Sequence, residues 1–143
     1  ENLKIQGFNS IILNEGSQEM AWEITEKGFI MNLTSYVSDL INGSMNDFLS
    51  SMEIEKDSID YWAIHPGGKK ILDDFKKTLE LDASILHHSY EVLRQFGNMS
   101  SATILFVLKA LIDTNTSAKK GENIFSAAFG PGLSIETMRL EYV

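Results

Sequence analysis

The sequence predicts an α/β domain built on a mixed, mainly five-stranded sheet covered by helices, and three observations carry that expectation. Short β-branched and aromatic runs alternate with longer helical stripes. The run Ile59 to Ile64 (IDYWAI) suits a short strand buried on both faces. The chain then closes on two strands joined by Gly130-Pro131-Gly132. Strands interleaved with helices, followed by a terminal strand pair, give a sheet with helices packed over it.

Leu3 to Leu13 reads as the first strand, with Ile11, Ile12 and Leu13 strongly β-inclined. Turn chemistry at Asn14-Glu15-Gly16-Ser17 leads into a second strand, Met20 to Thr25. Glu26-Lys27-Gly28 turns into a third, Phe29 to Leu33. Ser35 to Met52 follows as a helix that places Val37, Leu40, Ile41, Phe48 and Leu49 on one stripe, although Gly43 weakens its middle. After the buried strand, Pro66 falls where proline suits the first turn of a helix. That helix runs to Leu79, with Ile71, Leu72, Phe75 and Leu79 inward and Lys69, Lys76 and Lys77 outward. Ser84 caps a further helix through Phe96, Gly97 breaks it, and Met99 to Asp113 makes another. Asn123 to Phe129 and Leu133 to Val143 are the closing strands.

A chain of 143 residues with 43% hydrophobic content is ample for one α/β domain and short for two, so residues 1–143 are expected to form a single domain. No apolar run approaches the roughly 20 residues that cross a bilayer, so no membrane association is expected. Glu1, Asn2, Leu3 and Lys4 carry neither a signal-peptide nor a transit-peptide pattern, which points to a cytoplasmic protein. A start placed almost directly on a strand also suggests a chain cut from something longer. With 12 basic against 20 acidic residues, the net charge of −8 argues against a nucleic-acid partner. The absence of cysteine excludes a disulfide framework, a thiolate metal site and a cysteine nucleophile within these residues.

Two residues stand where chemistry is usual. In sheets of this kind ligands bind beyond the carboxyl ends of the strands. His65 closes an apolar strand and Asn98 lies just before a helix, so both can belong to one functional edge. Gly67 and Gly68 would let backbone or ligand approach His65 closely. Each reading has a plain alternative: a half-buried histidine bonded to a carbonyl, ordinary capping at Gly97-Asn98, and a simple turn at Gly130-Pro131-Gly132. His87 and His88 sit about 100° apart around a helix axis and cannot share a face as ligands. Asp73 and Asp74 fall on the polar side of their helix and are expected in solvent, as are Lys119 and Lys120 in a polar connection. No P-loop, dinucleotide fingerprint or zinc motif is present, and no metal is expected.

Taken together, three segments change the odds. WAIHPGGKKILD (Trp62 to Asp73), SYEVLRQFGNMSSATILFVL (Ser89 to Leu108) and FGPGLSIETMRL (Phe129 to Leu140) closely resemble the chalcone and stilbene synthases, the type III polyketide synthases. MAWEITEKGFIMNLTSYVSDLI (Met20 to Ile41) is similar to the segment that precedes them in that family. The resemblance covers nearly the whole chain, weakly before Met20 and strongly from Tyr61. It departs at Ser38, where the family usually has proline after valine.

The resemblance implies the C-terminal half of a thiolase-like fold, in which two similar α/β halves pack about a pseudo-twofold axis. The family's catalytic cysteine lies in the other half. His65 matches the family's catalytic histidine and Asn98 its catalytic asparagine. Ser100, Phe129, Gly130, Pro131 and Gly132 match segments near the acyl pocket, and Met31 matches a position where many plant members carry a gatekeeping phenylalanine. The implied reaction is decarboxylative Claisen condensation of malonyl-CoA with an acyl-CoA starter. Coenzyme A thioesters are then substrates and no cofactor is needed. The implied partners are the chain's own N-terminal half and a second copy in a homodimer. These 143 residues alone are expected to be inactive. Two competing readings stay open. One is a β-ketoacyl carrier-protein synthase III, although that group usually has Gln-Ala-Asn after its histidine and Thr-Ser after its asparagine, against Pro66-Gly67-Gly68 and Met99-Ser100-Ser101 here. The other is a stand-alone interaction domain without catalysis. The helix from Met99 is apolar almost all round, which leads to a further expectation that the isolated chain self-associates through it.

Overall fold

The computed structural model describes residues 3–82 and 84–143, so Glu1 and Asn2 of the opening segment lie outside the described residues. The elements follow the predicted alternation: β1 (Leu3–Ile12), β2 (Met20–Thr25), β3 (Gly28–Leu33), α1 (Tyr36–Ser51), β4 (Tyr61–Ile64), α2 (Lys69–Thr78), α3 (His87–Phe96), α4 (Thr103–Thr114), β5 (Asn123–Gly130) and β6 (Ser134–Tyr142). The main sheet has the order β1-β6-β5-β4. β4 and β5 are parallel, whereas β6 is antiparallel to both β5 and β1. β1, β4 and β5 therefore point the same way, and their carboxyl ends share one edge.

The strand count corrects the expectation of a mainly five-stranded sheet. Among the described residues, four strands form the main sheet, and β2 and β3 pair only with each other. Their backbone groups are spent on their own ladder, from Met20 opposite Leu33 to Thr25 opposite Gly28. Gly28 takes φ +120°, which a side chain would strain, and so closes the two-residue turn. Bonds from the Thr34 amide to the Glu19 carbonyl (3.0 Å) and from Gly132 to Met20 (3.3 Å) moor the hairpin to the body.

Strand alternation sorts the side chains onto two cores. Trp62 and Ile64 of β4 join Phe125 and Ala127 of β5 under α1 and α2. Ala63 and Ile124 point the other way and meet Val107, Leu108 and Leu111 of α4. Burial on both faces is why the β4 segment is apolar throughout. Trp62 stands edge-on to Phe75 at 5.8 Å and tilted to Phe125 at 5.3 Å, so it joins α2 to the sheet. On α2, Ile71, Leu72, Phe75 and the following Leu79 are all buried, as the stripe predicts.

Polar side chains explain where boundaries moved. α3 starts at His87 because Asp82 Oδ1 accepts both the amide (2.9 Å) and the hydroxyl (2.7 Å) of Ser84, leaving Ser84 no cap to make. α4 starts at Thr103 because its hydroxyl takes the Met99 amide at 2.8 Å. Pro66 stands in the turn before α2, where Gly67 donates back to the His65 carbonyl at 3.0 Å. Asp73 and Asp74 are not simply solvated. Tyr90 donates to Asp73 at 2.6 Å and Ser38 to Asp74 at 2.6 Å, and Lys69 and Lys70 pair with them. These bonds tie α2 to α3 and to α1.

α4 is covered on one side only. Val107 is fully buried and Leu111 nearly so, whereas Leu105 is 64% and Phe106 41% exposed. Phe106 stands against the half-exposed ring of Phe96, at 5.3 Å. An apolar stripe of this kind favours association. Light scattering after size-exclusion chromatography should find the 143-residue chain dimeric or larger, and a Leu105→Lys, Phe106→Lys double variant monomeric. A monodisperse wild-type monomer would contradict this.

Candidate active site

β4 ends at Ile64 and the ladder to β5 closes one residue later, where the His65 amide donates to the Ala127 carbonyl at 2.8 Å. The strand thereby delivers His65 to the carboxyl edge with its side chain buried. Gly67 follows it, and a Cβ there would come within 3.0 Å of Ile71 Cδ1 and within 4 Å of the imidazole edge at Cδ2 and Nε2. Glycine is what keeps that position clear of Ile71. The other nitrogen, Nδ1, is enclosed and has no hydrogen-bond partner among the described residues. A buried N–H without an acceptor is the costlier orphan, which favours the neutral tautomer with its proton on Nε2. Burial pushes the imidazole below its ordinary 6.5, which keeps it neutral.

Asn98 is held by three bonds. Its Oδ1 accepts the Ser100 amide at 2.9 Å and the Thr103 hydroxyl at 3.4 Å, and its Nδ2 donates to the Gly67 carbonyl at 3.1 Å. The Ser100 amide can only donate, so the atom it meets is the carbonyl oxygen and the orientation of the amide follows. The clasp holds Ser100 at φ +60°, an uncommon angle for a residue with a side chain. One Nδ2 hydrogen is used on Gly67 and the other is left for the cleft. Gly67 thus lies beside the ring of one candidate residue and accepts from the amide of the other.

Both residues line one cleft of about 550 Å³ at the carboxyl edge of the sheet. Of the residues singled out in the sequence, Met31, His65, Gly67, Asn98, Ser100, Phe129, Gly130 and Pro131 form its wall. Gly68 and Gly132 lie outside the lining residues. Gly68 is extended and leads into α2, whereas Gly132, at φ +135°, shapes the turn and bonds to Met20. Other parts of the wall were not singled out, among them Trp22 and Leu33 from the hairpin, Ile71 and Ile104 from the helices, and Ser134 and Glu136 from β6. Trp22 was recoverable, since it pairs directly opposite Met31 across the hairpin and so shares its face. Ser134 and Glu136 carried no signal of their own. The wall is chiefly apolar, with His65 and Asn98 as donors, a combination suited to an apolar ligand that carries a hydrogen-bond acceptor.

Residues 4–143 match the family model described as the C-terminal domain of chalcone and stilbene synthases. A protein of Bacillus subtilis (strain 168) bearing a chalcone synthase name is 32% identical over 139 residues, covering 94% of this chain and 38% of its own length. The alpha-pyrone synthesis polyketide synthase-like Pks18 of Mycobacterium tuberculosis (strain CDC 1551 / Oshkosh) is 31% identical over 135 residues, covering 94% of this chain and 33% of its own length. The chain thus spans little more than a third of these relatives. The crystal structure of PKS-I from the brown alga Ectocarpus siliculosus superposes with a TM-score of 0.81 at 24% identity, over 99% of this chain and 40% of that one. This last likeness supports the thiolase-like fold.

The lowered imidazole pKa has a stability consequence. As pH falls, the unfolded chain takes up the proton first, near the ordinary 6.5, and the folded chain only further down. The His65 contribution is therefore complete above the unfolded value and is lost as pH falls through the folded one. Burial lowers His88 in the same sense, so the His65 contribution is read as the difference between the wild type and a His65 variant. Thermal melting at pH 7.5 and 5.5 should show a smaller drop for His65→Gln than for the wild type. Asp73 and Asp74 are lowered by Lys69 and Lys70 and titrate below this window. An identical drop in both proteins would contradict the assignment.

Proposed function

This chain belongs to the chalcone and stilbene synthase family, as its C-terminal domain, and from that premise we propose that it supplies the donor half of a decarboxylating condensation site. The observation that carries the reading is the convergence of His65 and Asn98 on one apolar-walled cleft. In the proposed reaction malonyl-CoA binds with its thioester carbonyl toward Nε2 of His65 and Nδ2 of Asn98. The bond from the α-carbon to the carboxylate breaks, carbon dioxide leaves, and the electron pair becomes an enolate whose oxygen accepts both hydrogen bonds. The enolate carbon then attacks an acyl thioester, the C–S bond breaks, and a thiolate leaves with the electron pair. These 143 residues hold no cysteine, so in this reading the thiolate comes from residues outside them.

The physical chemistry supports the roles. A neutral Nε2–H and an amide N–H donate hydrogen bonds without carrying charge, and they strengthen as negative charge gathers on oxygen. A thiolate brought close to His65 would oppose the effect of burial and favour the imidazolium, which in turn lowers the thiol's pKa. Walls of Met31, Trp22 and Leu33 give the acyl chain apolar contacts. A flexible thioether at Met31 suits varied aliphatic starters. The reading places the protein in the cytoplasm as a homodimer, using coenzyme A thioesters and no bound cofactor.

In the complete synthase carrying this domain, His65→Ala and Asn98→Ala should each slow malonyl-CoA decarboxylation about a hundredfold or more, the scale of a lost oxyanion donor. A loss below tenfold in either would overturn the assignment. Met31→Phe should shift starter preference from long aliphatic acyl-CoA toward smaller or flatter ones, read as a change in relative kcat/KM. An unchanged starter profile would remove Met31 from the acyl route.

A further inference from the structure

One buried hydroxyl joins the two elements that carry the donors. Ser89 of α3 is fully buried, and its Oγ donates to the Ile64 carbonyl at 2.7 Å while accepting the Ile64 amide at 3.3 Å. β4 is the last strand of its sheet, so the polar groups that point away from β5 have no strand to meet. Those groups at Ile64 are both met by Ser89, and the next residue is His65. The same helix ends at Phe96 and passes through Gly97 to Asn98. Its neighbour Tyr90 grips Asp73 of α2 at 2.6 Å, on the far side of the loop from His65 to Gly68. α3 therefore holds the strand before the loop, the helix after it, and the residue that reaches across to the Gly67 carbonyl.

From this geometry we infer that Ser89 is a positioning residue, setting the separation between the His65 and Asn98 donors by pinning the end of β4 to the helix that ends at Asn98. This rests on the function proposed above. Removing the hydroxyl leaves a buried amide and carbonyl unsatisfied, and the end of the strand must move to find partners. A shift of that kind misaligns His65 without removing any group that touches substrate. Two donors held to one oxygen tolerate little displacement, since a 1 Å misplacement can cost about a hundredfold.

The test uses three variants in the complete synthase: Ser89→Ala, Ser89→Val and Ser89→Thr. Valine matches threonine in size and lacks the hydroxyl, so the pair separates hydrogen bonding from packing. Malonyl-CoA decarboxylation should fall about tenfold or more in kcat for alanine and valine with KM changed less than threefold, and threonine should restore kcat to within about threefold. A second readout does not depend on activity. The carbon-labelled imidazole signal of His65, identified by its loss in His65→Gln, should move in the valine variant and return in the threonine variant. Equal kcat for valine and threonine, or an unmoved His65 signal in valine, overturns the inference. If the wild-type synthase does not decarboxylate malonyl-CoA, the proposed function fails while the His65 signal still decides the role of Ser89.

Discussion

The hydrogen bond from the His65 amide to the Ala127 carbonyl is the last rung of the parallel ladder between β4 and β5, and the cleft depends on it. Parallel pairing brings two strand ends to the same edge, so the residues that follow them leave the sheet side by side. The cleft there is lined by His65 and Gly67, just after β4, and by Phe129 and Gly130 at the end of β5 with Pro131 after it. β6 starts at that edge because it runs the other way, which is how Ser134 and Glu136 join the wall. A pocket at this edge follows from strand direction before any side chain is considered.

The side chains then specialise the edge. β4 is buried on both faces, so the ring that follows it is also drawn out of water, and burial keeps it neutral. Asn98 needs no such burial, because three bonds lock its amide. One donor is tuned by desolvation and the other by preorganisation. In the proposed reaction both would avoid the reorganisation cost that water imposes on a developing enolate. The hairpin of β2 and β3 adds the apolar wall while making few demands on the body, and toward its tip the same face leaves Ile24 and Phe29 largely in solvent. Those residues, with Leu105 on α4 and Phe8 on β1, are surface that a larger assembly would be expected to cover.

Much of this was legible in the sequence, for physical reasons that differ by residue. The ends of β2 matched because Asn14 to Ser17 and Glu26 to Gly28 are strong turn chemistry on either side of an apolar run. His65 and Asn98 were legible as edge residues because strand and helix periods end beside them. Met31 was legible only through the resemblance, since nothing in its spacing marks it. The division into a four-stranded sheet and a hairpin was not legible, because periodicity reports which face a residue takes and not which strand it bonds to. The starts of α3 and α4 were misplaced for one shared reason. Asp82, Asn98 and Thr103 capture the local amides with their side chains, a competition that propensity does not resolve. The bond from Asn98 to Gly67 links residues 31 apart and has no local signature.

The central claim is that His65 and Asn98 address one oxygen. It is tested most directly by a crystal structure of the complete synthase with a malonyl-CoA analogue that cannot lose carbon dioxide. The account predicts the thioester oxygen, or its isostere, within about 2.7–3.1 Å of both His65 Nε2 and Asn98 Nδ2, with Asn98 still bonded to the Gly67 carbonyl. A thioester oxygen that meets neither nitrogen, in a site where the analogue is fully occupied, would contradict it.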